Sequence, residues 1–124
     1  MIIRFHVDGQ PVPKQSFRVI SDGRSKIHGF QPRRVRAWQN AVGWVAKEAA
    51  VQNQLMGPTT ADVITVLTFT LADNRRVDLD NLSKAVLDAI NGIIWVDDRQ
   101  VCDLRSIKRV GSPPGVDVYI ESEK

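Results

Sequence analysis

The sequence has a single cysteine, Cys102, so no disulfide can form within the chain and nothing suggests an oxidising compartment. Cys102 falls in an apolar, strand-like run and is expected to be a small buried hydrophobe, not a reactive thiol. No stretch is long and apolar enough to cross a membrane. Met1 to Val7 has too short an apolar core, and no cleavage site, for a secretory signal. A cytoplasmic protein is expected. Internal repeats, low-complexity tracts and linkers are all missing, which leaves residues 1–124 as one expected domain. A chain of this length can bury a real core without staples, although a dimer interface would help. His6 has no partner at metal-ligand spacing and is expected to be hydrogen-bonded or solvated.

What is present is an uneven distribution of charge. The formal net charge is only +3. Residues 1–50 carry nine Lys or Arg against three Asp or Glu, whereas residues 51–124 carry eight against eleven. The bases are spread over loops and the acids are clustered. If cations neutralised the acidic cluster, the remaining field would be strongly positive, which suits a polyanion such as DNA.

Periodicity supplies the elements. Ile3, Phe5 and Val7 alternate in a first strand. GQPVP ends it with two prolines. Lys14 to Phe30 is basic and glycine-containing, with a hairpin-type turn at SDGRS. There Lys14, Arg18, Arg24 and Lys26 alternate with Phe17 and Phe30, a composition suited to phosphate contacts and base stacking. Pro32 opens the longest helix, running to about Gln54, with Val35, Trp38, Val42, Val45 and Ala49 as its apolar stripe. Arg33, Arg34 and Arg36 cluster at its start. Trp44 lies off that stripe and is a candidate for a subunit interface. ADVITVLTFTL, residues 61–71, is a β-branched strand with its threonines on one face. Strands are also expected over Val101 to Val110 and around Val116, Val118 and Ile120. The order predicts an α+β fold, a mixed β-sheet packed against two main helices.

Between strand and strand lies the chemically loaded stretch, RRVDLDNLSKAVLDAINGIIWVDDRQV, from Arg75 to Val101. Leu82, Val86, Ala89, Ile90 and Ile93 recur at helical spacing. Asp80 or Asn81 can cap the helix. Asp78 and Asp80, two apart in extended backbone, can face one point. Lys84 is one turn beyond Asp80. The helix and following turn are expected to return Asp97 and Asp98 to the same end. Asp88, four positions after Lys84, is expected to pair with it and to be dispensable for chemistry. Clustered carboxylates repel unless a cation holds them. Oxygen ligands with no nearby Cys or His suit Mg²⁺, with Mn²⁺ as a possible substitute. Such an ion can support phosphodiester cleavage. Arg75 and Arg76, beside the carboxylates, can hold the scissile DNA strand.

The joint pattern D-x-D-N-x-x-K, an apolar helix, then W-V-D-D-x-Q-V, resembles the RusA family of Holliday junction resolvases. The resemblance is carried by RRVDLDNLSKAVLDAI and WVDDRQV, with GQPVPK matching relatives near the N-terminus. It implies a small homodimeric, Mg²⁺-dependent endonuclease of a family with many prophage members. It also implies a four-way DNA junction as substrate and a RusA-like fold. By that resemblance the catalytic and metal-binding carboxylates are Asp78, Asp80 and Asp98, the catalytic lysine is Lys84, and Asp97 is secondary. DNA contacts are expected from Lys14, Arg18, Arg75 and Arg76. The homodimer is expected to use apolar surface of the long helix, Trp44 included, or of the central helix. A nuclease for flaps or other branched DNA, and a non-catalytic DNA-binding subunit whose acids merely cap a helix, are the two alternative functions.

Overall fold

Alternation along the first strand turns Ile3 and Val7 into the interior and leaves Ile2, Arg4, His6 and Asp8 outside. This is β1 (Ile2–Asp8) in a computed structural model that describes residues 1–14 and 32–123. The elements that follow are α1 (Arg33–Gln52), β2 (Val63–Leu71), α2 (Leu79–Ile90), a short 3-10 turn (Asp98–Gln100), β3 (Val101–Val110) and β4 (Gly115–Glu121). The expected turn at SDGRS, with Arg18, Arg24, Lys26, Phe17 and Phe30, lies outside the described residues.

The strands form one mixed sheet in the order β1-β4-β2-β3. β4 is antiparallel to both β1 and β2, and β2 runs parallel to β3. Parallel neighbours need a crossover, and α2 provides it. β3 is hydrogen-bonded only to β2, so its other side is a free edge among the described residues. Its exposure shows this: Leu104 and Val110 are open to solvent, and Cys102 is exposed as well. The expectation of a buried Cys102 is therefore corrected, because an edge strand lacks the second neighbour that buries a side chain.

Both helices cover one face of the sheet. From α1, Val35, Trp38, Val42, Ala46 and Ala49 enter the core. From α2 come Leu82, Ala85, Val86 and Ile90, meeting Leu67, Phe69, Val118 and Ile120 of the strands. Trp95 is fully buried beneath the turn that precedes β3. Truncating a side chain such as Leu82 to alanine costs about 2–5 kcal/mol, through lost transfer energy and the cavity left behind. Thr65 is buried on the helix-covered face while Thr68 and Thr70 lie on the other, so the threonines of β2 do not share one face as expected. On that opposite face β1 and β4 touch closely. A Cβ at Gly115 would sit 2.5 Å from the Val7 carbonyl and 2.8 Å from His6 Cε1, so only glycine fits.

Candidate active site

The acidic stretch begins where β2 has ended and the chain turns into α2. Asp78, in extended backbone, is the N-cap. Its Oδ1 accepts from the Asp80 amide at 2.9 Å and its Oδ2 from Asn81 Nδ2 at 3.3 Å. The expected cap was Asp80 or Asn81; the helix starts earlier and uses Asp78, leaving the Asp80 carboxylate free of backbone bonds among the described residues. Asp80 lies in the first turn, where the unpaired amides favour negative charge. Lys84 reaches back one turn and sets its Nζ 3.2 Å from Asp80 Oδ2. All three side chains are exposed on the surface of this helix end. Lys108, near the end of β3, donates to the Val77 carbonyl at 2.8 Å and fixes the approach to the cap. Lower down, Ser83 Oγ lies 2.6 Å from Ser106 Oγ, tying α2 to β3.

Asp97 and Asp98 form a second acidic group, built differently. Asp97 caps the 3-10 turn, accepting from the Arg99 amide at 2.9 Å. That contact holds its carboxyl below the usual carboxylate range. Gln100 accepts from the Val96 and Asp97 amides and donates to the carbonyls of Thr59 and Ala61, which locks the turn to the start of β2. Asp98 is half-buried and accepts from Trp95 Nε1 at 2.7 Å. Burial pushes the Asp98 carboxyl up; the Trp95 N–H opposes this, while the neighbouring charges of Asp88 and Asp97 add to it.

Asp88 thus belongs beside Asp98. Its partner is Lys14, whose ammonium contacts Asp88 while its backbone amide donates to the Asn81 carbonyl at 2.9 Å. The expected Asp88–Lys84 pair is corrected: Lys84 turns to Asp80, and Asp88 is taken by a residue distant in sequence. Lys14, Trp44, Lys47 and Asp88 also line a cleft of about 460 Å³ between α1 and α2. Trp44 is 67% exposed there, with Lys47 Nζ 5.3 Å from its ring centroid. Arg75 is held by Asp73 through bonds of 2.7 and 2.9 Å, and Arg76 is exposed.

The topology separates the two acidic groups. Asp78 and Asp80 stand at the start of α2, beyond the end of β2. Asp98 stands just before β3, and β3 starts level with the start of β2, Val101 opposite Val63. Asp88, which faces Asp98, follows Asp80 by eight positions along α2. At about 1.5 Å per residue this is roughly 12 Å along the helix axis. The expectation that the helix and turn return Asp97 and Asp98 to the same end is therefore corrected: α2 and the turn after it carry the chain back from the end of β2 to the start of β3. Oxygens on one Mg²⁺ lie about 2.1 Å from it, so they are within roughly 4 Å of one another. Asp98 and the Asp78–Asp80 pair of a single chain do not fit one such ion. Consistently, no group of three His, Cys, Asp or Glu that could hold a metal ion occurs among the described residues.

A second cluster lies on the open face of the sheet. His6 Nδ1 is 2.8 Å from Asp117 Oδ1 and His6 Nε2 is 3.0 Å from Asp8 Oδ1. The bond to Asp117 is the main reason that His6 titrates above its ordinary 6.5. This agrees with the expected hydrogen-bonded histidine.

Comparison with known proteins bears on the whole chain. The family model for endodeoxyribonuclease RusA matches residues 8–121. The crossover junction endodeoxyribonuclease RusA of Escherichia coli strain K12 is 31% identical over 99 residues, covering 79% of this chain and 78% of that protein. The uncharacterized protein YqaN of Bacillus subtilis strain 168 is 29% identical, covering 95% of this chain and 94% of that one. A shorter match, 51% identical over 39 residues, joins 31% of this chain to 32% of the corresponding RusA of Enterobacteria phage 82. With the mixed sheet, the paired helices and the DLDNLSK and WVDDRQV segments in place, the chain belongs to the RusA endodeoxyribonuclease family.

Proposed function

We propose that this protein is a Holliday junction resolvase, cutting four-way DNA junctions by paired, symmetric phosphodiester hydrolysis in recombination and repair. The observation that carries the reading is the match to endodeoxyribonuclease RusA across residues 8–121, which includes both acidic groups and Lys84. We assign Asp78, Asp80 and Asp98 as ligands for divalent cations, Mg²⁺ with Mn²⁺ as substitute, without placing all three on one ion within a single chain, and Lys84 as the catalytic cation. The acceptors and charge of the two acidic groups suit a hard cation. Lys84 is held at the head of α2 by Asp80, where an ammonium can stabilise negative charge that builds on a phosphodiester as its P–O bond breaks. Arg76 is available to a DNA phosphate. Arg75 and Lys14, committed to Asp73 and Asp88, reach phosphate by exchanging those carboxylates for it. Arg18 is retained as a DNA contact on composition.

A junction offers two equivalent strands, and an isologous dimer offers two equivalent sites, so the working unit is a homodimer. We place this activity on cytoplasmic DNA; no helix among the described residues is long and apolar enough to cross a membrane. The test compares a four-way junction, a flap and a plain duplex at one salt concentration, with and without Mg²⁺. Symmetric Mg²⁺-dependent cuts in the junction alone are expected. Faster cutting of the flap would replace the resolvase reading with a branched-DNA nuclease. Binding without any product would make the chain a DNA-binding subunit.

A further inference from the structure

α1 carries a stripe that the core does not use. Arg33, Arg36, Asn40, Trp44 and Lys47 follow one another at steps of three and four, so they lie along one side of the helix, and all are exposed. Trp44 is the odd member. It is 67% open to solvent in a line of polar side chains, whereas Trp38 and Trp95 are buried. Lys47 Nζ stands over its ring, 5.3 Å from the centroid. Beside Trp44 runs the cleft of about 460 Å³ between α1 and α2. Gly43, Ala89 and Ile93 supply its apolar lining; Asn40 and the ammonium groups of Lys14 and Lys47 supply donors. On its α2 wall is Asp88, which contacts Lys14 and faces Asp98. We propose that this cleft takes one unpaired base of a DNA strand, stacked on Trp44, while the phosphates of that strand follow the arginines and lysines along α1.

Size, chemistry and place support that occupant. Ligand pockets commonly hold about 300–1000 Å³, with an apolar lining and a few polar groups, and a base is a flat plate with a polar edge. Indole stacks on any base, because every base has a π face. Surfaces that bind single strands combine positive charge along the backbone with aromatic platforms for the bases, and the stripe on α1 has both. Asn40 offers a donor and an acceptor to a base edge. A second copy of this chain fits the cleft less well. The centre of a subunit contact is depleted in lysine and aspartate, and here Lys14, Lys47 and Asp88 share the lining with Trp44. Through Asp88 the cleft adjoins Asp98, so a base seated in it belongs to a strand passing the acidic group before β3. Taking a base out of its stack costs least where pairing is already broken, as at a branch point. The cleft then reads a nucleotide near that acidic group, a determinant of specificity separate from the carboxylates.

A base-binding cleft presupposes that the chain acts on DNA, but it is tested without cleavage. Tryptophan fluorescence is titrated in EDTA with a thymidine strand of about ten nucleotides, an abasic phosphodiester strand and a duplex of the same length, and thymidine monophosphate. The thymidine strand is expected to quench the emission of Trp44, and the other three to leave it nearly unchanged. Trp44→Ala should bind the thymidine strand roughly 5- to 150-fold more weakly and the abasic strand as the wild type does. Trp44→Phe, which keeps a ring, should retain most of the affinity. Gly43→Leu gives a second reading. A Cβ at Gly43 meets the Ala89 carbonyl oxygen and Ile93 Cδ1 at 3.6 Å, ordinary contact, so the backbone tolerates it and the longer side chain enters the cleft. Quenching should be lost in this variant with Trp44 in place. Equal quenching by the abasic strand or the duplex overturns the proposal, because phosphate alone explains it. Equal binding of the mononucleotide also overturns it, in favour of a site for free nucleotides. So does a Trp44→Ala protein that falls from dimer to monomer, which makes Trp44 a subunit contact. A chain that cuts no junction yet shows base-dependent quenching loses the resolvase reading alone; one that cuts junctions without quenching loses the cleft.

Discussion

Asp78 has two roles that a pair of substitutions separates. Its carboxylate caps α2 through the Asp80 amide, and the proposed chemistry also needs its charge. Asp78→Ala removes both. Loss of an N-cap acceptor costs about 1 kcal/mol, within a range of about 0.5–2. For a domain of this size that corresponds to a fall in Tm of roughly 4 °C. Asp78→Asn keeps an oxygen in the same place, and asparagine caps as well as aspartate. It gives up the bond accepted from Asn81 and the favourable charge at the helix start, together a few tenths of a kcal/mol. Thermal unfolding followed by circular dichroism should therefore place Asp78→Asn close to the wild type and Asp78→Ala clearly below it. Single-turnover cleavage of a junction in Mg²⁺ should be lost in both. If Asp78→Ala melts with the wild type, the cap contributes nothing and the local account is wrong. If Asp78→Asn cuts at the wild-type rate, Asp78 is a cap alone and leaves the site.

Three further outcomes are expected. Asp98 ionises against burial, so at neutral pH its charge opposes folding; Asp98→Asn should abolish cleavage yet raise stability in EDTA. That gain should shrink as pH falls through the raised pKa of Asp98 and the wild-type carboxyl becomes neutral, and equal gains at neutral and acid pH in denaturant titrations would contradict it. Lys84→Ala should lower the saturated single-turnover rate far more than junction affinity, because charge that grows only in the transition state is read in the rate. An unchanged rate with a salt slope of binding shallower by about one counterion would make Lys84 a phosphate contact instead. His6, whose pKa is raised mainly by Asp117, stabilises the fold fully below its ordinary 6.5 and loses that contribution as pH rises through the folded value. The stability gap between wild type and His6→Asn should accordingly be widest in mild acid and close in alkali, and a gap that widens with pH would refute the assignment.

Elements governed by near neighbours were legible in the sequence. α1 and β2 fall within two residues of their expected limits, because apolar spacing and β-branching are local signals. The Asp80–Lys84 contact was likewise a matter of one helical turn. What escaped depends on partners far along the chain. Nothing local states that β2 and β3 run parallel, and that relation alone decides which end of α2 receives Asp98. Asp88 meets Lys14 across 74 positions, a pairing that competes with the nearer Lys84 only once the N-terminal segment lies against α2. Cys102 looked like core because its neighbours are apolar, and it is exposed because β3 is the last strand of the sheet. The cap at Asp78 was missed by two residues, a shift that frees Asp80 for the proposed chemistry.

β4 occupies residues 115–121 yet sits inside the sheet, between β1 and β2. During synthesis, then, the strand that joins β1 to the rest of the sheet is made after the other three described strands. Until it is made, β1 has no partner strand among the described residues and β2 has only its parallel neighbour there. A chain stopped short of β4 holds both acidic groups and Lys84 but lacks the strand that unites the sheet. Such a product carries the residues of a nuclease without the framework to present them to DNA.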